Sequence, residues 1–224
     1  MHNFTLIKLL LLIILSYPAF SQSARTYIVT NEGDTVYTSV RFNQRLSDNN
    51  REIYVYTNNR NIRYTPGEIK AYYNGLQEYE SLPLGEVPVF LQRHTTGYAN
   101  LYYCDETVLA DLIRNYPRLG DQIGYSLKDA LKAAFNSVKQ TNYFNGKIPV
   151  ISGEGKNLRI FDPNMPKRKQ ELADYFYDFP GAESLLSSEK VTPEMYEQLI
   201  MAYNQWKPQI VAKLAAQEKV ANGF

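Results

Sequence analysis

The chain has 224 residues, and its 24 Lys and Arg side chains nearly balance 23 Asp and Glu side chains. Proteins that bind nucleic acids are steered to phosphate backbones by a strong positive field, so this composition excludes nucleic acid as an expected partner. Cys104 is the single cysteine, which excludes an internal disulfide. Packing must therefore supply the stability.

Residues 1–21 have the pattern of a secretory signal peptide. Lys8 precedes an apolar run over residues 9–15, and the small residues Ala19 and Ser21 come just before Gln22. The run is shorter than the roughly 20 apolar residues that span a membrane, so the pattern predicts cleavage before Gln22 rather than an anchor. The exported chain would keep roughly 200 residues, enough for one domain or two small ones, with no later membrane span. We expect it in the periplasm, at the cell surface or in the medium.

Residues 22–104 are predicted to form an antiparallel β-rich module. Short segments rich in Tyr, Val, Ile and Thr alternate with Asn, Gly and Asp clusters, which is typical of β-hairpins. The predicted hairpins cover residues 27–42, 52–65, 68–82 and 87–104. In the last one, a turn at Thr96 and Gly97 predicts that His94 pairs with Ala99.

The start of this module resembles a known group of proteins. Residues 25–36 read Arg-Thr-Tyr-Ile-Val-Thr-Asn-Glu-Gly-Asp-Thr-Val, which is similar to the mature N-terminus of secreted Bacteroidetes proteins of unknown function. In that group a β-rich domain often precedes a short helical hairpin that ends in Tyr-Asn. Tyr203 and Asn204 fit that ending, whereas Thr38 and Ser39 stand where the group usually has Gly. The resemblance implies an envelope location and no catalytic residues.

After Cys104 the apolar period changes from two residues to about 3.6, which predicts helices. Residues 109–117 recur at 172–180 with Leu, Ala, Asp and Pro identical, and residues 127–136 are echoed at 195–204. We interpret this as a duplicated helical hairpin. Its parts are copy one at 105–142, a Gly- and Pro-rich linker with two short strands at 143–168, and copy two with a C-terminal helix at 169–224.

The predicted fold class is therefore α+β, with an N-terminal antiparallel β module followed by an α-helical region. Within that region Asp105 is expected to cap the first helix. Pro208 lacks a backbone N–H, so we expect it to kink or break the last helix.

Aromatic and arginine side chains alternate in the second predicted hairpin. This mixture is common on contact surfaces, because Tyr offers a rigid apolar ring and Arg can stack on it. Exposed strand faces with ordinary surface charges would give the same pattern. The candidate binding residues are Tyr54, Tyr56, Arg60, Arg63 and Tyr64.

Two carboxylates are candidates for acid–base or metal chemistry. Asp174 and Asp178 stand at i and i+4 on a predicted helix face. Asn115 replaces the second carboxylate in copy one, and a short polar residue before a Pro-led helix favours capping of the following turn. Asp111 and Asp174 are the repeated charges without an assigned role, so both are worth testing.

A thiol nucleophile would need a base beside Cys104. The predicted strand pairing separates His94 from Cys104 and puts them on opposite faces, so a packed free thiol is favoured. No glycine-rich phosphate loop, nucleophile elbow or multi-histidine site is present in the sequence. We therefore predict no catalytic residue, metal or cofactor.

These observations favour a non-enzymatic exported module that binds or scaffolds a protein or glycan of the bacterial envelope. The alternative is a hydrolase that acts on an envelope polymer through carboxylates drawn from distant positions. Glycoside hydrolysis would need two carboxylates that face each other across the sugar. A flat aromatic face would favour the binding module.

Overall fold

The structure is a computed structural model that describes residues 25–41, 50–123, 146–161, 167–187 and 191–221. The predicted signal peptide and the second predicted helix of copy one lie outside these residues. Within the described ranges, no helix combines the length and the apolar character needed to cross a membrane.

Two antiparallel sheets contain all the described strands. Eight strands form the large sheet in the order β11-β10-β9-β8-β7-β6-β1-β2, and three form the small sheet in the order β3-β4-β5. The strands are β1 (Tyr27–Thr30), β2 (Thr35–Tyr37), β3 (Ser39–Arg41), β4 (Ile53–Thr57), β5 (Arg60–Tyr64), β6 (Ile69–Tyr73), β7 (Glu78–Leu84), β8 (Val87–Thr95), β9 (Ala99–Asp105), β10 (Lys147–Gly153) and β11 (Lys156–Ile160). The predicted α+β class with a sheet-rich N-terminal part is confirmed.

The predicted hairpins form, but two of them differ from the prediction. In the first, only Thr35–Tyr37 pair with β1, whereas Ser39–Arg41 pair with β4 of the small sheet. In the last, the predicted pairing is wrong. Arg93 lies opposite Tyr102, two positions away from the expected alignment, and the register shifts at His94. The physical reason is a turn longer than two residues together with a β-bulge, which adds a residue to one strand. Up to Arg93 the shift is two residues and keeps the side chains on their expected faces, whereas beyond the bulge Thr95 lies opposite Leu101, three positions from the expected alignment.

The Gly- and Pro-rich segment contains the two short strands expected there. Strand β10 pairs with β9 over its whole length, with Val150 opposite Tyr102, and β11 forms the edge beside it. The large sheet therefore takes strands from both sides of the first helical segment.

Five helices lie in the described residues: α1 (Glu106–Asn115), α2 (Pro117–Ile123), α3 (Arg168–Tyr175), α4 (Ala182–Leu186) and α5 (Pro193–Ala221). Asp105 precedes α1, but its side chain makes no capping hydrogen bond and instead pairs with Lys147 at 3.0 Å. The expected break at Pro208 is also absent, since α5 runs through this residue. Pro208 is exposed, so its ring meets solvent.

Helices cover the large sheet on two faces with different side chains. On one face α1 and α2 form what we call the aliphatic layer, whose main members are Leu84, Val89, Leu91, Val108, Leu109, Leu112, Ile113, Ile148 and Val150. On the other face α3, α4 and α5 form the aromatic layer, with Tyr103, Phe161, Tyr175, Phe176, Phe179, Tyr196 and Tyr203.

The small sheet covers the rest of the face that carries the aromatic layer. Phe90 points away from its neighbours Val89 and Leu91, because successive side chains of a strand alternate, and it packs with Ile53 and Val55 of the small sheet. The two repeated segments lie on opposite faces, with Leu109 in the aliphatic layer and Leu172 in the aromatic layer. The duplication itself stays a prediction, since part of copy one lies outside the described residues.

Candidate functional site

The five sequence-predicted binding residues all lie in the small sheet, but on two different sides of it. Tyr54 lies opposite Arg63, and Tyr56 two residues along shares their side. Tyr64 lies opposite the buried Ile53 and packs against the core. Arg60 falls on the side of Tyr64, because the two are four residues apart on β5. The structure therefore brings together only three of the five.

A fourth residue completes the outer face of the small sheet. The Arg41 guanidinium stacks on the Tyr56 ring, with its carbon 4.5 Å from the ring centroid. Glu52 accepts hydrogen bonds from the Tyr54 hydroxyl at 3.1 Å and from Arg63 Nε at 2.5 Å. We call the set Arg41, Tyr54, Tyr56 and Arg63 the aromatic–arginine face. Its rings and guanidinium groups are held in place by each other and by Glu52.

A second candidate site surrounds Asp178, which follows α3 in a turn. Lys156 Nζ lies 2.8 Å from Asp178 Oδ1, and Lys207 Nζ lies 2.7 Å from Oδ2. The Tyr203 hydroxyl donates to the same Oδ2 at 3.1 Å. One carboxylate thus joins β11, the end of α3 and helix α5.

The two ammonium groups decide the ionisation of this carboxyl. Burial on its own would raise the pKa of Asp178, but hydrogen bonds from Lys156 and Lys207 outweigh it and lower the pKa to about 2. The bond to Asp178 also raises the pKa of Lys207. Asp178 and Lys207 are therefore both charged at neutral pH.

Aromatic rings surround the Lys156 ammonium. Its Nζ lies 5.1 Å from the centroid of the Tyr203 ring and 5.4 Å from that of Tyr177, with Phe176 and Tyr175 at similar distances. Attraction to the faces of aromatic rings stabilises a cation. The Lys156 ammonium also donates to the Tyr175 carbonyl at 2.7 Å, so its position is fixed by polar as well as aromatic contacts.

A cleft of about 380 Å³ opens beside this cluster. Asp178, Lys156, Lys207 and Tyr175 belong to its wall, and the rim comes from exposed side chains of the β10–β11 hairpin and of α3. The cleft has a size at which small-molecule sites begin. We call it the Asp178 cleft.

The predicted carboxylate pair does not form. Helix α3 ends at Tyr175, so Asp174 and Asp178 do not share a helix, and the side chain of Asp174 accepts a hydrogen bond from Gln170. The capping role expected for Asp178 is wrong as well, since the helix that follows has Gly181 at its N-cap. The Asp178 carboxylate instead pairs with Lys156 of β11 and Lys207 of α5.

Asp111, the other aspartate worth testing, pairs with two arginines at the surface. It lies 3.5 Å from Arg51 and 3.6 Å from Arg114, and about half of its side chain is exposed. Such exposed pairs contribute little to stability.

His94 and Cys104 do not meet. His94 Nε2 lies 2.8 Å from Glu197 Oε1 on α5, whereas Cys104 is fully buried in the aliphatic layer. Burial raises the pKa of the Cys104 thiol to about 12, and the negative charge of Asp105 contributes to a lesser extent. Cys104 is therefore a packed, protonated thiol at neutral pH.

Asn204 has a role that sequence reasoning missed. Its amide accepts from Ala99 N at 2.7 Å and donates to Ala99 O at 2.8 Å, which fixes the β8–β9 turn. A Cβ on Gly97 would lie 2.4 Å from Asn204 Nδ2, so a larger residue there would displace the Asn204 amide. The adjacent residues Tyr203 and Asn204, noted in the sequence, therefore have different partners. Tyr203 donates a hydrogen bond to Asp178, and Asn204 bonds the β8–β9 turn.

No group of three His, Cys, Asp or Glu side chains within the described ranges is arranged to hold a metal ion. Comparison with known protein families, curated proteins and solved structures gives no match to this chain.

Proposed function

We propose that this protein is an exported component of a bacterial envelope and acts as a non-enzymatic binding or scaffold module. Its partner is a protein that contacts the aromatic–arginine face, with a glycan as the other class of partner to be tested. The N-terminal pattern and the resemblance to secreted Bacteroidetes proteins support the location.

The observation that carries the proposal is the stack of Arg41 on Tyr56 at 4.5 Å, beside Tyr54 and Arg63 on the same side of β4 and β5. Tyr and Arg dominate the energetically important positions of protein interfaces. Ordered side chains also lose less conformational entropy on binding. Of the two guanidinium groups, that of Arg63 is neutralised by Glu52, whereas Arg41 offers donors to an acidic group on a partner.

A comparison of two variants in a binding assay tests this proposal. The chain without residues 1–21 is immobilised and exposed to envelope extract from the source bacterium. We expect a retained protein that is lost with the double variant Tyr54→Ala/Tyr56→Ala, because both rings of the face are removed.

Tyr116→Ala is the matched control, since Tyr116 is an exposed tyrosine that follows α1 and does not belong to this face. Retention that survives the double variant, or that Tyr116→Ala abolishes equally, would contradict a role for the face. Retention that is abolished by digestion of the extract with glycosidases, but not with proteases, would assign a glycan instead.

The hydrolase alternative has weaker support. A general acid in glycoside hydrolysis needs a raised pKa, whereas the pKa of Asp178 is lowered to about 2 by its lysine partners. Release of soluble fragments from purified envelope polymer, lost in Asp178→Asn, would favour the hydrolase.

The export proposal has a direct test. The chain expressed in the source bacterium with a C-terminal tag should be recovered outside the cytoplasm with Gln22 as its first residue. Intact mass measurement checks this, and an uncleaved chain retained in the cytoplasm would contradict it.

We also propose that residues 105–142 are one copy of a helical hairpin and that residues 169–224 contain the second copy followed by a C-terminal helix. Leu109 and Leu172 occupy corresponding positions of the two copies, and both are fully buried, which supports the same mode of packing in each copy. Backbone chemical shifts measured by NMR should then show a helix at residues 126–138, the counterpart of the first part of α5.

A further inference from the structure

We propose that the Asp178 cleft binds a neutral carbohydrate, as a terminal sugar or a short segment of a glycan chain. The cleft lies at α3, α5 and the β10–β11 hairpin, so this site differs from the aromatic–arginine face of the small sheet. The two proposals can therefore fail separately.

The wall of the cleft is fixed before any ligand arrives. Asp178 is held by Lys156, Lys207 and Tyr203 at 2.7 to 3.1 Å, and only about a fifth of its side chain is exposed. An ammonium group has three donors, of which Lys156 uses two, on Asp178 and the Tyr175 carbonyl, and Lys207 at most two, on Asp178 and Tyr203. Each lysine keeps a donor for a ligand, at positions set by the folded protein.

The formal charges around the cleft cancel. Lys156, Lys207 and Arg159 supply three positive charges, against three negative charges from Glu154, Asp174 and Asp178. A phosphate or another multiply charged anion would meet as many repulsive groups as attractive ones. A ligand that both donates and accepts hydrogen bonds at closely spaced atoms fits this lining better.

Sugar hydroxyl groups have that property, because each can donate to a carboxylate and accept from an ammonium or guanidinium group. The lining supplies both kinds of partner, with carboxylates as acceptors and cations as donors. Asn157 adds an amide that can do both. The volume of about 380 Å³ suits one or two sugar rings rather than a long segment.

An exposed aromatic ring completes the site. Tyr177 is 82% exposed although the Lys156 ammonium lies 5.4 Å from its ring centroid. Leaving an apolar ring in water is unfavourable, and a sugar could cover it with the C–H groups of one ring face. The observed contact with Lys156 orients this ring at the edge of the cleft.

NMR titration of the chain without residues 1–21 tests the proposal. The probes are maltose, cellobiose, lactose and N,N′-diacetylchitobiose, with sodium phosphate and glycine as charged and zwitterionic comparisons. We expect at least one disaccharide at millimolar concentration to shift the amide signals of residues 154–159 and 174–178. Tyr177→Ala should weaken that binding about tenfold, whereas Tyr177→Phe should retain it.

Tyr37→Ala is the matched control, because Tyr37 is a 64% exposed tyrosine on β2 that lies outside the cleft. No shift with any disaccharide would overturn the proposal, and so would binding that Tyr177→Ala leaves unchanged. Shifts at these amides with phosphate or glycine alone would assign a charged ligand instead. The variants of Tyr54 and Tyr56 should leave sugar binding intact, which separates this site from the proposed protein face.

Discussion

The two helical layers bury opposite faces of the large sheet with different types of side chain, aliphatic on one face and mainly aromatic on the other. The aliphatic layer buries Leu, Val and Ile side chains of α1 against the sheet, and its repeated aspartate, Asp111, stays at the surface. The aromatic layer brings polar groups inward, with Asp178 among rings and Asn204 on a turn. Aliphatic packing is non-directional, whereas every polar contact in the aromatic layer specifies a partner and a distance.

The difference indicates where a functional site can form. Fixed charges next to a cleft occur in the aromatic layer, since its rings and hydrogen bonds hold Lys156 and Lys207 beside one carboxylate. We therefore expect the replacement of Asp178 or Asn204 in the aromatic layer to cost more than the replacement of Asp111, the repeated aspartate of the aliphatic layer.

Replacement of Asp178 should have the largest effect. Asp178→Ala leaves the ammonium groups of Lys156 and Lys207 facing each other without a counter-charge, so we expect a loss of about 3 kcal/mol in the free energy of unfolding. Denaturant-induced unfolding followed by circular dichroism measures it.

The controls are Asp111→Ala and Asp174→Ala, the two repeated aspartates, of which the first is about half exposed and the second is exposed. Each is expected to cost less than about 1 kcal/mol. An equal cost for Asp111 and Asp178 would remove the proposed contrast between the layers.

Substitutions at the β8–β9 turn should have a second, smaller effect on the free energy of unfolding. Asn204→Ala removes the hydrogen bonds to Ala99 and should cost about 2 kcal/mol. Gly97→Ala should cost a similar amount, because its new methyl group would meet the Asn204 amide at 2.4 Å.

The double variant should be more stable than the sum of the two single costs implies, since Asn204→Ala also removes the clash. A thermodynamic cycle of unfolding free energies measures this coupling. Additive costs would mean that the two residues do not interact.

Lowering the pH should reduce the free energy of unfolding through the protonation of Asp178. Its pKa falls from the ordinary value of 3.8 to about 2 on folding, so the folded state favours the ionised form. This stabilisation is complete above about pH 4 and disappears as the pH falls through about 2, and solvent screening limits it to about 1 to 2 kcal/mol.

The measurement is the unfolding free energy of the natural chain and of Asp178→Asn between these pH values. The advantage of the natural chain should shrink as the pH falls. A constant difference would show that Asp178 does not titrate in this way.

The smallest effect is expected at His94. Its contact with Glu197 links β8 to α5, but about a third of each side chain is exposed. His94→Ala should therefore cost less than about 1 kcal/mol in unfolding free energy at neutral pH. A cost comparable to that of Asp178→Ala would mean that this contact has a structural role beyond that of an exposed pair.

Local patterns predicted much of the sheet. The Asn- and Gly-containing turns and the alternating segments identify the four hairpins, because turn chemistry acts within a few residues. The β8–β9 register could not be predicted, since it depends on a bulge at His94 and on a turn held by Asn204.

The Asp178 site was missed for a similar reason. Its partners Lys156, Tyr203 and Lys207 are 22, 25 and 29 residues away along the chain, on two different elements. No periodicity connects such positions. One signal was available, because Asp178 sits between the aromatic residues 175–177 and Phe179, where a carboxylate needs a strong partner.

The contact between Asn204 and Ala99 also bears on how the chain reaches its folded state. The two residues are 105 positions apart, and Asn204 belongs to the last described helix. Contacts of high sequence separation close large loops and slow folding. During synthesis the β8–β9 turn therefore lacks its hydrogen bonds to Asn204 until that residue has emerged, and in a chain truncated before α5 the amide of Ala99 should exchange hydrogen readily.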